Sequence, residues 1–210
     1  MKLVGLYISP FVRRVAIALH VYGIDFEHVA ASVVTARDLI VNYNGLVRVP
    51  SLEMDDGDVL VDSHQILAEL DRLAGPERSL SVRDAGLLRP YGQMLAFLTG
   101  ALEKQVAAFY ETGRRPPDKI WAAWADQCVA QALGGLGAAE DLAGTAVLSG
   151  SFLFENRLTH ADVAAVLAFE AITARMPIEF AAQRFPKLAA LSARLAPTSP
   201  FLLTDPHKVA

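Results

Sequence analysis

In the stretch YISPFVRRVA, residues 7–16, a serine and a proline stand between an apolar run and a segment of helical period. Serine at an N-cap followed by proline at the first helical position is a favoured helix start. A capping hydroxyl accepts a backbone N–H and keeps its own O–H to donate. At Ser9 that proton would be offered beside the positive end of a helix, where a thiolate is stabilised. Capping and presentation of the hydroxyl are compatible, and both stand open on these residues. Tyr7 carries a second hydroxyl near the same strand end.

Three other short groups combine polar side chains with a structural break. RVPSL, residues 48–52, puts Pro50 at the start of an apolar run, an edge position where a missing N–H is tolerated. VDSHQI, residues 61–66, sets Asp62 and Ser63 before a helix, and Gln65 gives the group capping-box spacing. LTHADV has the same spacing between Thr159 and Asp162, ahead of a very apolar helix, and reads as a structural cap. His20, His28, His64, His160 and His207 are scattered without ligand spacing, so no metal site is indicated. Cys128, Trp121 and Trp124 fall on an apolar stripe and read as packing, while Arg13 and Arg14 read as a solvated face.

These groups need elements to hold them. KLVGLYI is a strand-like run, and FVRRVAIALHVYG is a helix ending at Gly23. DFEHVA alternates as a short strand, a looser helical piece falls near residues 36–43, and VPSLEMDDGDVLVD is a hairpin turning at Asp56-Gly57. SHQILAELDRLAG closes the series as a helix stopped by Gly75. From about residue 84 every segment is helical. Leu88, Tyr91, Leu95, Leu98, Leu102, Val106 and Phe109 step by three or four, and ADVAAVLAF is apolar nearly all round, as in the middle of a bundle. A small α/β unit, the linker GPERSLSVRD and an all-helical unit follow.

Composition narrows the function classes. Hydrophobic residues make up 53 % and charged residues 20 % of 210, a globular balance with enough chain to bury a core. Mean hydropathy is +0.31 and the net charge −4, with no Lys/Arg cluster, so no nucleic-acid partner is expected. No apolar run approaches the roughly 18 residues of a membrane span, and MKLVGLYISP is too short for a secretory core. The single cysteine permits no internal disulfide. A cytoplasmic protein without a membrane anchor is the expectation.

The pieces in this order resemble the cytosolic glutathione S-transferase superfamily. The resemblance rests on SPFVRRV after the first strand, VP before the third, DS opening the third helix, LTHAD, and the terminal FPKLAALSARLAPTSPFLLTDP. SPFVRRV looks most like the bacterial serine-type branch. The implied fold is an α/β thioredoxin-like N-terminal domain, residues 1–75, a linker 76–85, and an all-α C-terminal bundle, residues 86–210. Two positions depart from the family pattern Asn-Pro-x-Gly-x-Val-Pro: here NGLVRVP has Gly45 for Pro and Val47 for Gly. Gln65 also stands where a small residue is usual.

By that resemblance Ser9 is the hydroxyl that hydrogen-bonds the sulfur of glutathione, the cosubstrate. Val49 pairs its backbone N–H and C=O with the cysteinyl unit, held open by a cis bond before Pro50. Asp62 and Ser63 take the γ-glutamyl end, and Arg48 is a candidate for the glycyl carboxylate. The implied activity is conjugation of the glutathione thiolate to small hydrophobic electrophiles, a detoxifying reaction without a metal, in a homodimer with His64 and Gln65 near its seam. Two rivals are a non-catalytic glutathione-binding or interaction module, and a glutathione-dependent thiol oxidoreductase. The latter uses Cys-Pro-x-Cys where this chain has Ser9 and Val12.

Overall fold

The computed structural model describes residues 1–175 and 181–208; the rest of the expected C-terminal domain, residues 176–180 and 209–210, lies outside them. The chain divides into two units, Met1–Arg83 together with the chain from Ala196 onward, and Asp84–Leu195.

The first unit is built on four strands of three residues each: β1 (Lys2–Val4), β2 (Glu27–Val29), β3 (Ser51–Glu53) and β4 (Val59–Val61). Their spatial order is β2-β1-β3-β4. β1 runs parallel to β2 through the crossover helix α1 (Pro10–Tyr22) and antiparallel to β3, which makes a hairpin with β4. α1 ends where Gly23 takes φ 64, a left-handed cap that glycine adopts without a Cβ penalty. A short α2 (Arg37–Ile40) precedes β3, and α3 (Ser63–Ala74) follows β4. Strands this short are marginal alone; Leu3, Val4 and Leu52 are fully buried, as are Val12, Val15, Ile17 and Leu19 of α1 and Ile66 and Leu70 of α3. Tyr22 closes this core, its hydroxyl donating to Asp71 of α3 and accepting from the Leu80 amide.

The second unit contains α4 (Leu88–Arg114), α5 (Ala122–Leu142), α6 (His160–Arg175), α7 (Ala181–Arg184) and α8 (Pro186–Leu195). α6 is buried at every position from His160 to Ala168. Its start is held by Asp162, whose Oδ2 accepts from the Thr159 amide (2.8 Å) and hydroxyl (2.6 Å) and whose Oδ1 accepts from the Leu153 amide (2.8 Å). The Glu140 carboxylate does the same for α8, accepting from the Lys187 and Leu188 amides.

Several sequence expectations are corrected. Arg13 and Arg14 are not a solvated face: Arg14 is 3 % exposed, and Arg13 donates to the Phe201 carbonyl. Arg13 is engaged by the terminal segment, whose last helix α9 (Ser199–Leu202) packs on α1 and groups with the first unit. Trp121 is 66 % exposed, because α5 starts only at Ala122 and the indole stands before the helical stripe. Ala125, Cys128, Ala132 and Leu136 fill that stripe. Leu88 and Phe109 are exposed ends of the α4 stripe, whose buried part runs from Tyr91 to Leu102.

Candidate functional site

Strand register decides which loops meet. Val4 lies opposite both Val29 and Ser51, and Ser51 lies opposite Val61. β1 and β4 therefore end, and β3 begins, at one edge of the sheet. Residues 5–9 leave β1 there, residues 48–50 enter β3 there, and Asp62 and Ser63 leave β4 there. Every candidate residue of the sequence reading thus converges inside the first unit, although up to 54 positions separate them in the chain. An edge where strands give way to helix starts is the ordinary place for a ligand in an open α/β sheet.

Ser9 sits in extended conformation (φ −80, ψ 118) as the N-cap of α1, with Pro10 next to it. Its Oγ accepts from the Val12 amide at 3.4 Å, a long bond, and its own proton lies outside that contact. The turn before it is closed by the Ser9 amide on the Leu6 carbonyl, 3.0 Å. Tyr7 is 7 % exposed, with its ring stacked on His28 at 4.0 Å between centroids. Burial pushes its phenol above the ordinary value of 10, so this hydroxyl stays protonated at neutral pH.

The segment before β3 is organised by Asn44, which the sequence reading assigned no role. Its Nδ2 donates to the Arg48 carbonyl (2.9 Å) and to Ser51 Oγ (2.7 Å), and its Oδ1 accepts from the Arg48 amide (3.1 Å). The available signal was the asparagine that opens the family pattern; its bonds across seven residues are not written in local spacing. Val47 adopts φ 52, the left-handed region that a glycine would take freely. Its side chain packs against Val4, Ala31 and Ile40, burial that offsets the conformational cost. The Val49-Pro50 bond is cis.

At β4 the chain turns through Asp62 with φ 79, the other non-glycine residue of positive φ among those described. Its Oδ1 accepts from the His64 amide (2.8 Å), capping α3 at the second amide of the helix. Its Oδ2 lies 3.1 Å from Arg48 Nη2. The expected Gln65 partnership is replaced by these two contacts. Ser63 opens α3 and is 5 % exposed. An acid, a buried serine and the amide end of a 12-residue helix suit a zwitterionic group: the carboxylate for an ammonium, the helix end for an anion. Among the described residues no group of three or more His, Cys, Asp or Glu is placed to hold a metal ion, and no helix is long and apolar enough to cross a membrane.

Residues 3–78 match the family profile described as "Glutathione S-transferase, N-terminal domain". The GST-like protein YibF of Escherichia coli is 38 % identical over 84 residues, 40 % of this chain and 41 % of that protein, so the alignment spans less than half of this curated relative. A glutathione S-transferase of Methylobacterium radiotolerans, crystallised with glutathione sulfonate, superposes with a TM-score of 0.88 at 26 % identity, covering 100 % of this chain and 96 % of that one. A glutathione transferase family member of Pseudomonas fluorescens with bound glutathione gives 0.80 at 28 % identity, covering 97 % of each. The sheet, the helical unit and the N-terminal profile agree: residues 3–78 carry the glutathione S-transferase N-terminal domain, and the whole chain has the fold of the cytosolic glutathione S-transferase superfamily.

Proposed function

We propose that the protein is a cytoplasmic glutathione transferase that joins the glutathione thiolate to small hydrophobic electrophiles. The observation that carries this reading is the meeting of Ser9, the Val49-Pro50 bond and the Asp62–Ser63 helix start at one sheet edge. The thiolate attacks an electrophilic carbon, an S–C bond forms, and the leaving group departs with its electron pair; the thiol proton has already gone to water. A thiol of pKa about 8.5 is only a few per cent ionised at pH 7. One hydrogen bond to a charged acceptor stabilises it by roughly 1.5–3 kcal/mol, or about one to two pKa units at 1.4 kcal/mol each. Ser9, with the helix end behind it, is the donor of that bond.

Asp62 and Ser63 hold the γ-glutamyl end, and the Val49 backbone holds the cysteinyl unit. For Arg48 to meet the glycyl carboxylate it must leave Asp62. Both side chains are well exposed (48 % and 39 %), and such a surface pair contributes only about 0–1 kcal/mol, so the exchange is cheap.

Ser9→Ala is expected to lower kcat/KM for glutathione and a reactive aryl halide by about ten- to a hundredfold, and to raise the pH of half-maximal rate. Glutathione affinity should change much less. Ser9→Cys should lose conjugation and gain a mixed disulfide with glutathione, since the helix end activates the new thiol. If Ser9→Ala only melts earlier, with rate and pH profile intact, Ser9 is a cap and Tyr7 is the next hydroxyl to test. Glutathione binding without turnover of a broad electrophile panel would instead make the protein a binding module.

The proposed assembly is a two-fold homodimer. Val41 and Leu46 are exposed apolar side chains of the first unit (47 % and 75 %) that such pairing would cover, and His64 and Gln65 are exposed on α3. Light scattering at micromolar concentration should give twice the 22.6 kDa chain mass; a monomer alone would count against it.

A further inference from the structure

We propose that His28 is a positioning residue for the Ser9 hydroxyl; the proposal rests on the reading of Ser9 as the partner of the glutathione sulfur. His28 is the middle residue of β2, opposite Leu3 of β1, and it makes two contacts with the segment that carries Ser9. Its Nε2 lies 2.7 Å from the Gly5 carbonyl. A carbonyl only accepts, so Nε2 bears the proton and donates. Its ring is parallel to Tyr7, with 3° between the planes and 4.0 Å between centroids.

The rest of the segment is held through backbone bonds and by its junction with α1, where the Ser9 carbonyl accepts from the Arg13 amide at 2.9 Å. Gly5 donates its amide to the Val29 carbonyl, and the Ser9 amide closes the turn onto Leu6. Ile8 is 48 % exposed and gives no buried anchor. The cap bond from Val12 to Ser9 Oγ is long at 3.4 Å. The carbonyl of Gly5 and the ring of Tyr7 are therefore fixed from the side by one imidazole, and Ser9 follows two residues later. A hydroxyl that must donate to a sulfur in a defined place depends on that bracing, because hydrogen-bond strength falls steeply with misalignment. His28 touches neither the thiol nor the electrophile in this scheme; it acts through the turn.

The test is an ultraviolet titration of the thiolate of glutathione bound to the full-length protein. His28→Phe keeps a ring for Tyr7 and removes the donor; His28→Gln keeps a donor of similar reach and removes the ring. Ser9→Ala is titrated beside them. His28→Phe is expected to raise the pH of half-ionisation by about 0.5–1 unit, which is roughly three- to tenfold less thiolate below the midpoint. His28→Gln should recover most of that shift, and glutathione affinity should stay within about twofold, because Asp62, Ser63 and Val49 are untouched. If Ser9→Ala moves the midpoint and a folded His28→Phe does not, the positioning role is overturned. If Ser9→Ala itself leaves the midpoint in place, the Ser9 reading fails first and takes this one with it. Should His28→Phe not fold, Tyr7→Leu removes the stack together with the hydroxyl and Tyr7→Phe removes the hydroxyl alone; a wild-type midpoint in both, or the same shift in both, overturns the proposal.

Discussion

Asp162→Ala is expected to destabilise the protein by about 2–5 kcal/mol, a fall in melting temperature on the order of 5–15 °C. The carboxylate is fully buried and accepts from two backbone amides and one hydroxyl. Alanine leaves the Leu153 and Thr159 amides buried without acceptors, at about 1–3 kcal/mol for each orphaned group. An offset works the other way, because burial disfavours the charge and raises the Asp162 pKa above its ordinary value, against the hydrogen bonds that lower it. The sign of the pH dependence follows. With the folded pKa above the unfolded one, the folded state binds more protons between the two values, and the stability Asp162 contributes is lost as pH rises through that window. The gap between wild type and Asp162→Ala should therefore be widest in acid and narrow as the pH rises. A gap that widens with pH would mean that the hydrogen bonds outweigh burial. Glutathione affinity, measured well below the melting temperature, should survive, since its proposed contacts are all in the first unit; a variant that melts normally but no longer binds would contradict a structural role.

That cap was legible in the sequence because both partners lie three residues apart at a helix start, where spacing and geometry are the same thing. Ser9 with Pro10 and the Asp56-Gly57 hairpin were legible for the same reason. The helical unit announced itself by period, and α6 by its lack of a polar face. What the chain did not spell out is contact between distant elements. Strands of three residues carry almost no register signal, so the opposition of Val4, Ser51 and Val61 that gathers the candidate site had to come from the fold. Arg13 reads as a surface residue, but the terminal helix packs on α1 and its Phe201 carbonyl accepts from the guanidinium. His28 is one alternating residue in a short strand; its bond to the Gly5 carbonyl exists only because β2 pairs parallel to β1. Asn44 lies in a loop, and what it holds is the entry to β3.

Gly5→Ala is expected to lose stability and glutathione binding together, and for one steric reason. Gly5 has φ 133, which L side chains rarely adopt, and a Cβ placed there would lie 2.5 Å from Val12 Cγ2 and 3.0 Å from Val49 Cβ. Neither neighbour is a flexible chain end. Val12 is fully buried in the first turn of α1, and its amide is the one that reaches Ser9; Val49 forms the cis bond with Pro50. Backbone strain and overpacking each cost about 1–3 kcal/mol, so a loss of about 2–6 kcal/mol is expected. Whatever relaxes to admit the methyl displaces either the helix start that carries the proposed thiolate donor or the backbone proposed to pair with the cysteinyl unit. In the protein that remains folded, glutathione affinity should fall by about tenfold or more, beyond the change caused by Ser9→Ala. A second substitution separates strain from collision. Val12→Ala alone should destabilise by opening a cavity, but in the Gly5→Ala background it removes the 2.5 Å contact, so the pair should be less destabilised than the sum of the singles. Additive losses would assign the cost to the dihedral alone. A Gly5→Ala protein with wild-type melting and wild-type glutathione affinity would mean that the β1 turn and the cis-proline loop are not packed against each other as described.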